Sequence, residues 1–416
     1  MERVKAYLKL IFKMPMVIVF ILISIIYGGI ALGKDAEIDD YAVVTAIGLD
    51  KGEEDVVEIS LLTFVPIVTQ NFSEQYEVVK SSGKSISEAM DFAGLHLGRQ
   101  VGLSHVKMVV VNEDFFTNDA TTEMDYLTRN ANLALSTTLV CTDASAFDFL
   151  SAVKEFNTAS SIKADDLVEF NEDYVYSTES TFETFYKGIY SPTNTELVSF
   201  ITLTSEDKDG ISIQTAAQNS AGGGSGGGQS GQEQEKKKIL NDGQAILCKD
   251  GREVYKLDKE EMKHLNFLKG DFKSGSIIIE NFSDNVFTNA ELTFEIFENK
   301  LNTQVAFENG IPVVYINSKI FLKLSEAKQT ERLINENVDF KNISNEAIKA
   351  IEFKIKEYMQ DGIRIMRENK ADIINLYTTI YNKFPKEMSE FLDRLEDRDD
   401  FLNFVVFKVS PQIYSY

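Results

Sequence analysis

From about residue 41, the apolar and polar positions first follow the spacing of β-strands and then that of a helix. Residues 41–49 and 56–65 are rich in β-branched residues and flank a polar turn that contains Gly52, which predicts a β-hairpin. Ser85 and Glu88 match a capping box, and the apolar residues after Ser85 recur at helical spacing. A helix is therefore predicted soon after the hairpin.

Strand and helix patterns continue to alternate up to about residue 160. Residues 106–111 are apolar at consecutive positions, which is typical of an interior strand. A helix at 121–129, a strand at 133–141 and a helix capped by Asp143 are predicted next. This order indicates a layered α/β domain. The residues predicted to face one way from the last helix are Phe147, Leu150 and Val153.

From residue 160 to 204 the pattern weakens, because aromatic residues are mixed with aspartate and glutamate. This stretch is either a small subdomain or a loop-rich extension of the first domain. Residues 206–238 follow, with a run of glycine and serine and then a charged run. That composition is typical of a flexible linker, so the stretch is predicted to be either a loop tip or the boundary between two halves of the chain.

The second half begins with a predicted hairpin and a short helix. Residues 244–247 and 252–257 are the two predicted strands, and the turn between them contains a glycine. Asp258 and Glu261 form a capping box at the start of the helix, and Gly270 closes it.

Strands predominate after this helix and predict a mostly antiparallel sheet. A long amphipathic helix at 345–370 is placed to cover one face of that sheet. A second helix is predicted at 372–384 and is stopped by Pro385, and 401–409 is predicted as the last strand. The second half is therefore an α+β domain, whose earlier predicted strands are 277–279, 291–297, 301–307 and 311–324.

An uncharged apolar run at residues 14–33 precedes this body. At about 1.5 Å of rise per residue, a helix over the run reaches roughly 30 Å, the thickness of the hydrocarbon core of a bilayer. Basic residues precede the run and acidic residues crowd positions 35–40. By the positive-inside rule, the tail at 1–13 stays in the cytoplasm and the body is exported. A single transmembrane signal anchor is predicted.

Two alternatives to a retained signal anchor use the same residues. The small residues at 28–33 also fit the cleavage region of a signal peptide, although the apolar run is longer than such signals usually need. A bacterial lipoprotein requires a cysteine directly after the small residues, where this chain has Lys34. The length of the run favours the retained anchor.

Composition limits the function classes. The chain has 416 residues, 44% of them hydrophobic, which indicates two or three folded domains. Its 42 Lys and Arg residues against 65 Asp and Glu residues give a formal charge of −23. Such a charge repels nucleic acid and anionic lipid headgroups, so a nucleic-acid partner is not expected.

Candidate catalytic residues are few. Cys141 and Cys248 each end an apolar run and are predicted to be small buried strand residues, although an exported protein allows one bridge between them. The three histidines show no metal-ligand spacing with the cysteines. His105 is considered as a base or hydrogen-bond organiser, but a structural role is more common for such a residue. No catalytic site, metal or cofactor is predicted.

Short motifs in both halves of the chain carry a resemblance to a known family. In the first half they are 41–50 (YAVVTAIGLD), Arg99 with 103–107 (LSHVK), and 124–129 (MDYLTR). In the second half they are 264–270 (HLNFLKG), 273–275 (KSG), and 370–373 (KADI) leading to 383–385 (KFP). In this order and spacing they resemble the Ger(x)C family, the C subunits of bacterial spore germinant receptors.

The resemblance implies a non-enzymatic subunit on the outer face of the spore inner membrane. Such a subunit works with two polytopic membrane partners that convert nutrient binding into germination, so direct nutrient binding by this chain is not expected. A multi-domain α/β architecture without a catalytic centre is also implied. Members of the family typically carry a lipobox cysteine, and Lys34 stands in that place here, so a spanning helix would replace the lipid as anchor.

The chain is thus predicted to be a mixed α/β and α+β protein behind one transmembrane helix. An alternative function is an exported solute-binding or sensor domain that holds a small ligand in a cleft between domains. The predicted segments are a basic tail at 1–13, the anchor at 14–33, an α/β region at 35–205 that is one domain or two subdomains divided near 160, a linker or loop at 206–238 and an α+β domain at 239–416.

Overall fold

The computed structural model of the protein describes residues 20–24, 41–53, 56–65, 75–159, 174–178, 180–204, 238–270, 272–329 and 343–415. Most of the predicted anchor at 14–33 lies outside these residues, and its described part, 20–24, is helical and exposed. Within the described ranges, no helix combines the length and the apolar character needed to cross a membrane.

The first of two sheets has nine strands in the described part of the chain. They are β1 (Tyr41–Lys51), β2 (Val57–Val65), β3 (Gln75–Gly83), β4 (Gln100–Gly102), β5 (Met108–Asn112), β6 (Thr138–Thr142), β7 (Thr195–Thr204), β8 (Lys238–Lys249) and β9 (Arg252–Leu257).

The centre of the first sheet is parallel and its two sides are antiparallel. The strand order is β3-β2-β1-β5-β6-β7-β8-β9, and β4 pairs with the start of β1. Strands β1, β5, β6 and β7 run parallel, whereas the hairpin partners on either side are antiparallel. Val109, Val110 and Val111 of β5 are fully buried, as expected for a parallel strand with helices on both faces.

The second sheet has the order β10-β11-β12-β13. Its strands are β10 (Gly275–Phe282), β11 (Ala290–Glu308), β12 (Ile311–Gln329) and β13 (Val406–Ser415). The first three are antiparallel, and β13 pairs parallel with β12. The predicted mostly antiparallel sheet is confirmed.

The α-helices of the described residues lie between these strands. They are α1 (Ile86–Leu97), α2 (Ala120–Glu123), α3 (Asp125–Arg129), α4 (Ala146–Ala159), α5 (Phe182–Ile189), α6 (Lys259–Lys269), α7 (Asn345–Glu368), α8 (Leu376–Lys383), α9 (Pro385–Leu392) and α10 (Phe401–Phe404). Short 3-10 helices occur at Glu113–Thr117 and Arg398–Asp400.

Helices cover both faces of the first sheet and one face of the second. Helix α4 contributes to the core on one face of the first sheet, and α1, α2, α3 and α5 contribute to the core on the other. Helices α6 and α7 belong to the core of the second sheet, and this core also contains Leu197 of β7 and Leu247 of β8. The two sheets therefore share one buried cluster.

The structure confirms the predicted hairpins and capped helices. Strands β1 and β2 pair across the predicted turn, and the Ser85 hydroxyl accepts the backbone N–H of Glu88 at the start of α1. Strands β8 and β9 form the second hairpin. Helix α6 begins at the capping box of Asp258 and Glu261 and ends at Gly270, whose φ is 84°.

Asp143 was expected to cap α4, and this prediction is wrong. The Ser145 hydroxyl accepts the N–H of Asp148 at 3.1 Å, and the Asp50 carboxylate accepts the N–H of Ala146 at 2.7 Å. Asp50 is a buried residue of β1, placed where the partial positive charge of a helix N-terminus favours a carboxylate. Burial raises the pKa of Asp50, and hydrogen bonds from the helix N-terminus partly offset this rise.

Other elements of the first half differ from their predictions in detail. Phe149 is fully buried on α4, whereas Phe147 is half-buried. The helix predicted at 121–129 is divided into α2 and α3. The strand predicted at 133–141 begins only at Thr138, because the backbone just before it forms turns.

The Gly/Ser-rich stretch does not separate the two sheets. Strand β7 ends at Thr204, β8 begins at Lys238, and the two pair antiparallel, so the residues between them join neighbouring strands of one sheet. The weakly patterned stretch from 160 to 204 contains α5 and β7, which both contribute to the core of the first sheet. The first sheet therefore continues through β9, beyond the Gly/Ser-rich stretch, and the second sheet begins after it.

Three predictions for the second half also need correction. The strands predicted at 291–297 and 301–307 are one long strand, β11. Pro385 begins α9 as well as following α8, because proline is favoured at the first position of a helix. Of the last predicted strand, 401–409, the first residues form α10 and β13 begins at Val406.

Helices α6 and α7 cross closely at Gly362, in the C-terminal third of α7. A Cβ atom added at Gly362 would lie 2.8 Å from the carbonyl oxygen of His264 and 2.8 Å from Cδ1 of Leu268. Because the His264 oxygen belongs to the backbone, a side-chain rotation alone cannot relieve the contact. A residue without a side chain is therefore what allows α6 to lie against α7.

We expect Gly362→Ala to destabilise the protein by up to about 2 kcal/mol, because an overpacking cost of about 1–3 kcal/mol is only partly offset by a gain in helix propensity of roughly 1 kcal/mol. Urea unfolding of the full chain, followed by circular dichroism, measures the change. Gln360→Ala, at an exposed position of the same helix, is the control and should leave the midpoint nearly unchanged. A Gly362→Ala protein as stable as the parent would contradict the close contact.

Asp372 caps a helix from four residues away. Its carboxylate accepts the N–H of Leu376 at 2.9 Å and of Tyr377 at 2.7 Å, so α8 begins at Leu376 and not at 372 as predicted. Asp372 is almost fully buried. Burial raises the pKa of Asp372 from 3.8 to about 6, although the backbone hydrogen bonds oppose this shift.

This raised pKa makes stability depend on pH. The folded protein holds the Asp372 proton more tightly than the unfolded chain, so the stability that this proton contributes is complete below about pH 4 and is lost as the pH rises through about 6. We expect the parent to lose on the order of 2 kcal/mol relative to Asp372→Asn over this window. Urea titrations at several pH values test this, with the exposed Asp91→Asn as control. Parallel pH profiles for the parent and Asp372→Asn would refute it.

Candidate functional site

Helix α6 and the segment 174–178 form the contact between the two sheets. The side-chain amide of Asn266 donates to the carbonyl oxygen of Val175 at 2.8 Å and to that of Ser177 at 2.6 Å. The N–H of Val175 donates to the carbonyl oxygen of Ser274 at 2.8 Å, directly before β10. The segment is thus fixed both to α6 and to the second sheet.

Lys263 of α6 lies beside two tyrosine rings. Its Nζ atom is 4.7 Å from the ring centroid of Tyr358 and 5.5 Å from that of Tyr176. The same atom lies 3.2 Å from Oε2 of Glu260. Only 5% of the Lys263 surface is exposed, so this is a buried cation that aromatic faces and one carboxylate stabilise.

The charge of Lys263 is maintained in this setting. Burial lowers the pKa of Lys263, but the neighbouring Tyr358, Tyr176 and Glu260 raise it more, and the net shift is upward. The ammonium group is therefore present at neutral pH. A buried primary ammonium has three N–H donors, and Glu260 is its hydrogen-bond acceptor among the described residues.

Lys263 opens into a pocket of about 620 Å³ between β10 and α7, which we name the Lys263 groove. A second pocket of about 430 Å³ shares Tyr176 and Glu260 with it. The size of the Lys263 groove falls within the range of small-molecule sites. Besides the residues around Lys263, its lining includes Ile278, Ile279, Glu280, Phe353 and Lys354.

His264, the next residue of α6, has a structural environment. Its ring stacks on that of Tyr358 at 4.7 Å between centroids, and its Nδ1 atom is 3.9 Å from Oδ2 of Asp361. Burial lowers the pKa of His264, while Asp361 opposes the shift. The ring therefore acts as a packing element between α6 and α7.

The structure does not place His105, Cys141 and Cys248, which the sequence suggested as candidates, in one common site. His105 is exposed in a turn before β5. Cys141 and Cys248 are buried and free, and burial raises the pKa of both thiols well above the usual value. Across the described residues, no group of three His, Cys, Asp or Glu side chains is arranged to hold a metal ion.

Sequence reasoning missed the Lys263 groove. Lys263 and Asn266 are buried polar residues on α6, and their i, i+3 spacing places them on one side of the helix. Tyr358 stands in the apolar stripe of α7, three residues after Ile355. The available signal was the presence of polar residues on the core side of an amphipathic helix. This signal does not reveal which aromatic rings will face those residues.

Several residues of the family-like motifs have structural roles. Asn266 fixes the segment 174–178, and Gly270 ends α6. A Cβ atom at Gly275 would lie 2.7 Å from Cγ1 of Val175, so glycine lets β10 approach that segment. Lys383 donates to a backbone carbonyl of β11 at 3.2 Å.

Two family models match the chain, one for each half. Residues 34–203 match the model described as the N-terminal domain of spore germination proteins. Residues 242–398 match the model described as spore germination B3/GerAC like, C-terminal. The two matches follow each other in order and together account for most of the chain.

Individual proteins show a more distant similarity. Spore germination protein KC of Bacillus subtilis (strain 168) is 20% identical over 377 residues, which span 86% of this chain and 85% of that protein. The crystal structure of the GerBC protein superposes with a TM-score of 0.49 at 16% identity, covering 89% of this chain and 97% of that one.

We expect Asn266→Ala to loosen the segment 174–178 and to destabilise the protein by about 2–3 kcal/mol, because two buried carbonyl oxygens lose their donor. Hydrogen exchange with mass spectrometry should show faster exchange in this segment and at the start of β10. Asn403→Ala, at an exposed position, should change neither. Unaltered exchange at Val175 in Asn266→Ala would show that the amide does not hold the segment.

Proposed function

The chain belongs to the Ger(x)C family of spore germination proteins, and we propose that it is the membrane-anchored, non-catalytic C subunit of a nutrient germinant receptor. The observation that carries the proposal is the ordered match to both domains of the family, from residue 34 to 398. In this proposal the chain acts with polytopic membrane subunits. Those subunits bind the nutrient, and the complex triggers germination.

The apolar run at 14–33 is the proposed anchor. Its length suits a bilayer, and the basic residues before it and the acidic residues after it favour export of the body. With this orientation the body lies on the outer face of the spore inner membrane. Tethering confines the body to a thin layer near its partners, and the resulting effective concentration turns weak lateral contacts into a stable complex.

The environment of the cysteines supports a role without covalent catalysis. Cys141 and Cys248 are buried with raised pKa values, so their thiols remain protonated, and a protonated thiol is a poor nucleophile. The motif residues support the same proposal, because Asn266, Gly270 and Gly275 serve the packing of α6 and β10.

A second candidate function is small-ligand binding by the body. The Lys263 groove favours it, because a pocket of about 620 Å³ lies beside a buried cation. In this function the chain senses a solute itself, either within the receptor or alone. The two candidates differ in which subunit contacts the small molecule.

The tether gives the first candidate a direct test. A body that starts at Asp35 and is exported by a cleavable signal should fold but should fail to restore germination in spores that lack the full chain. A second variant, with residues 14–33 replaced by an unrelated apolar spanning helix, should restore it, because only the anchoring is required. Germination is measured as loss of optical density after nutrient addition. Full rescue by the untethered body would contradict the proposed anchor.

A further inference from the structure

The strongest unassigned feature of the structure is the ammonium group of Lys263. Desolvating a cation costs free energy unless acceptors replace the lost water. Glu260 supplies one acceptor at 3.2 Å, and its own side chain is about half exposed, at 52%. The partner of the buried cation is therefore a half-exposed carboxylate at the rim of the groove, and the remaining N–H donors of Lys263 can bind a second acceptor.

A second cation lies on the same aromatic ring. Nζ of Lys354 is 5.5 Å from the ring centroid of Tyr358, and Lys354 also lines the Lys263 groove. Among the described residues, no carboxylate lies within ion-pair distance of Lys354. Two ammonium groups thus approach Tyr358, and in the described part of the chain only Lys263 of the two has a carboxylate beside it.

Apolar side chains line the same groove and reach the solvent. Ile278 of β10 is 43% exposed and Phe353 of α7 is 65% exposed. Ile279 and Ala350 extend this apolar lining. A ligand with an apolar body could cover these side chains while its charged end reaches Lys263.

Charge in and around the groove favours a ligand with a single negative charge. Glu260 and Glu280 also line it, and the chain carries a formal charge of −23. Both would repel a phosphate ester or a dicarboxylate more than a monoanion. A carboxylate also matches an ammonium donor by a charge-assisted hydrogen bond.

We propose that the Lys263 groove binds small monocarboxylates that carry an apolar or aromatic body. The carboxylate accepts from Lys263 and Lys354, and the body lies against Ile278 and Phe353. The ligand class rests on the second candidate function above, and it does not depend on the assignment of the chain as a receptor subunit.

Isothermal titration of the purified full chain tests the proposal with matched pairs of probes. Phenylacetate and isovalerate are the acids, and phenylacetamide and isovaleramide are their neutral counterparts of the same shape. We expect saturable binding of at least one acid, and binding of its amide weaker by roughly tenfold or more, because the charge-assisted hydrogen bonds are lost.

Substitutions then locate the binding. Lys263→Met should weaken binding of the acid by roughly tenfold or more and Lys354→Met by several-fold, while Lys356→Met, an exposed position of α7, should leave it unchanged. If Lys263→Met does not fold, as thermal unfolding would show, Lys354→Met and Phe353→Ser decide the question. No saturable binding of either acid, equal binding of acid and amide, or equal effects of Lys354→Met and Lys356→Met would overturn the proposal.

Because the readout is binding by the purified chain, it is separate from the germination assay. If the parent binds the acid, and the Lys263 variants lose this binding but still germinate normally, the groove is a ligand site that the receptor mechanism does not use. Loss of germination by the untethered body, with normal carboxylate binding, would leave both proposals standing.

Discussion

The structure depends on the way in which α6 is held between the two sheets. Gly362 lets α7 approach the backbone of α6, while Asn266 on α6 binds two carbonyl oxygens of the segment 174–178. Residues of β7 and β8 join the core of the second sheet in the same region. Because these contacts share one helix, the relative position of the sheets follows from the packing of α6.

Polar side chains also form hydrogen bonds with residues that are distant in the sequence or lie outside their own element. Asp50 caps α4 from a strand of the first sheet, and Asp372 caps α8 in the second half. Lys249 of β8 donates to the carbonyl oxygen of Lys370 at 3.0 Å and to Asp399 at 2.8 Å. Asp50 and Asp372 each satisfy backbone N–H groups within their own half, whereas the contacts of Lys249 join β8 to the second half.

Residues of the second-half motifs lie at this joint. Asn266 binds the segment 174–178, Gly270 ends α6, and Gly275 lets β10 approach Val175. The Lys263 groove opens at the same joint, so a ligand there would contact both α6 and α7.

Local sequence determined the elements whose signals are short-range. The capping box at Asp258 and Glu261, the turn before β9 and the apolar stripe of α7 each arise within a few residues, and the sequence predicted them correctly. Only the tertiary structure decided that Asp50 caps α4, that β8 and β9 extend the first sheet beyond the Gly/Ser-rich stretch, and that Lys263 faces Tyr176 and Tyr358. These depend on contacts between residues far apart in the chain, where periodicity and capping signals carry no information about the partner.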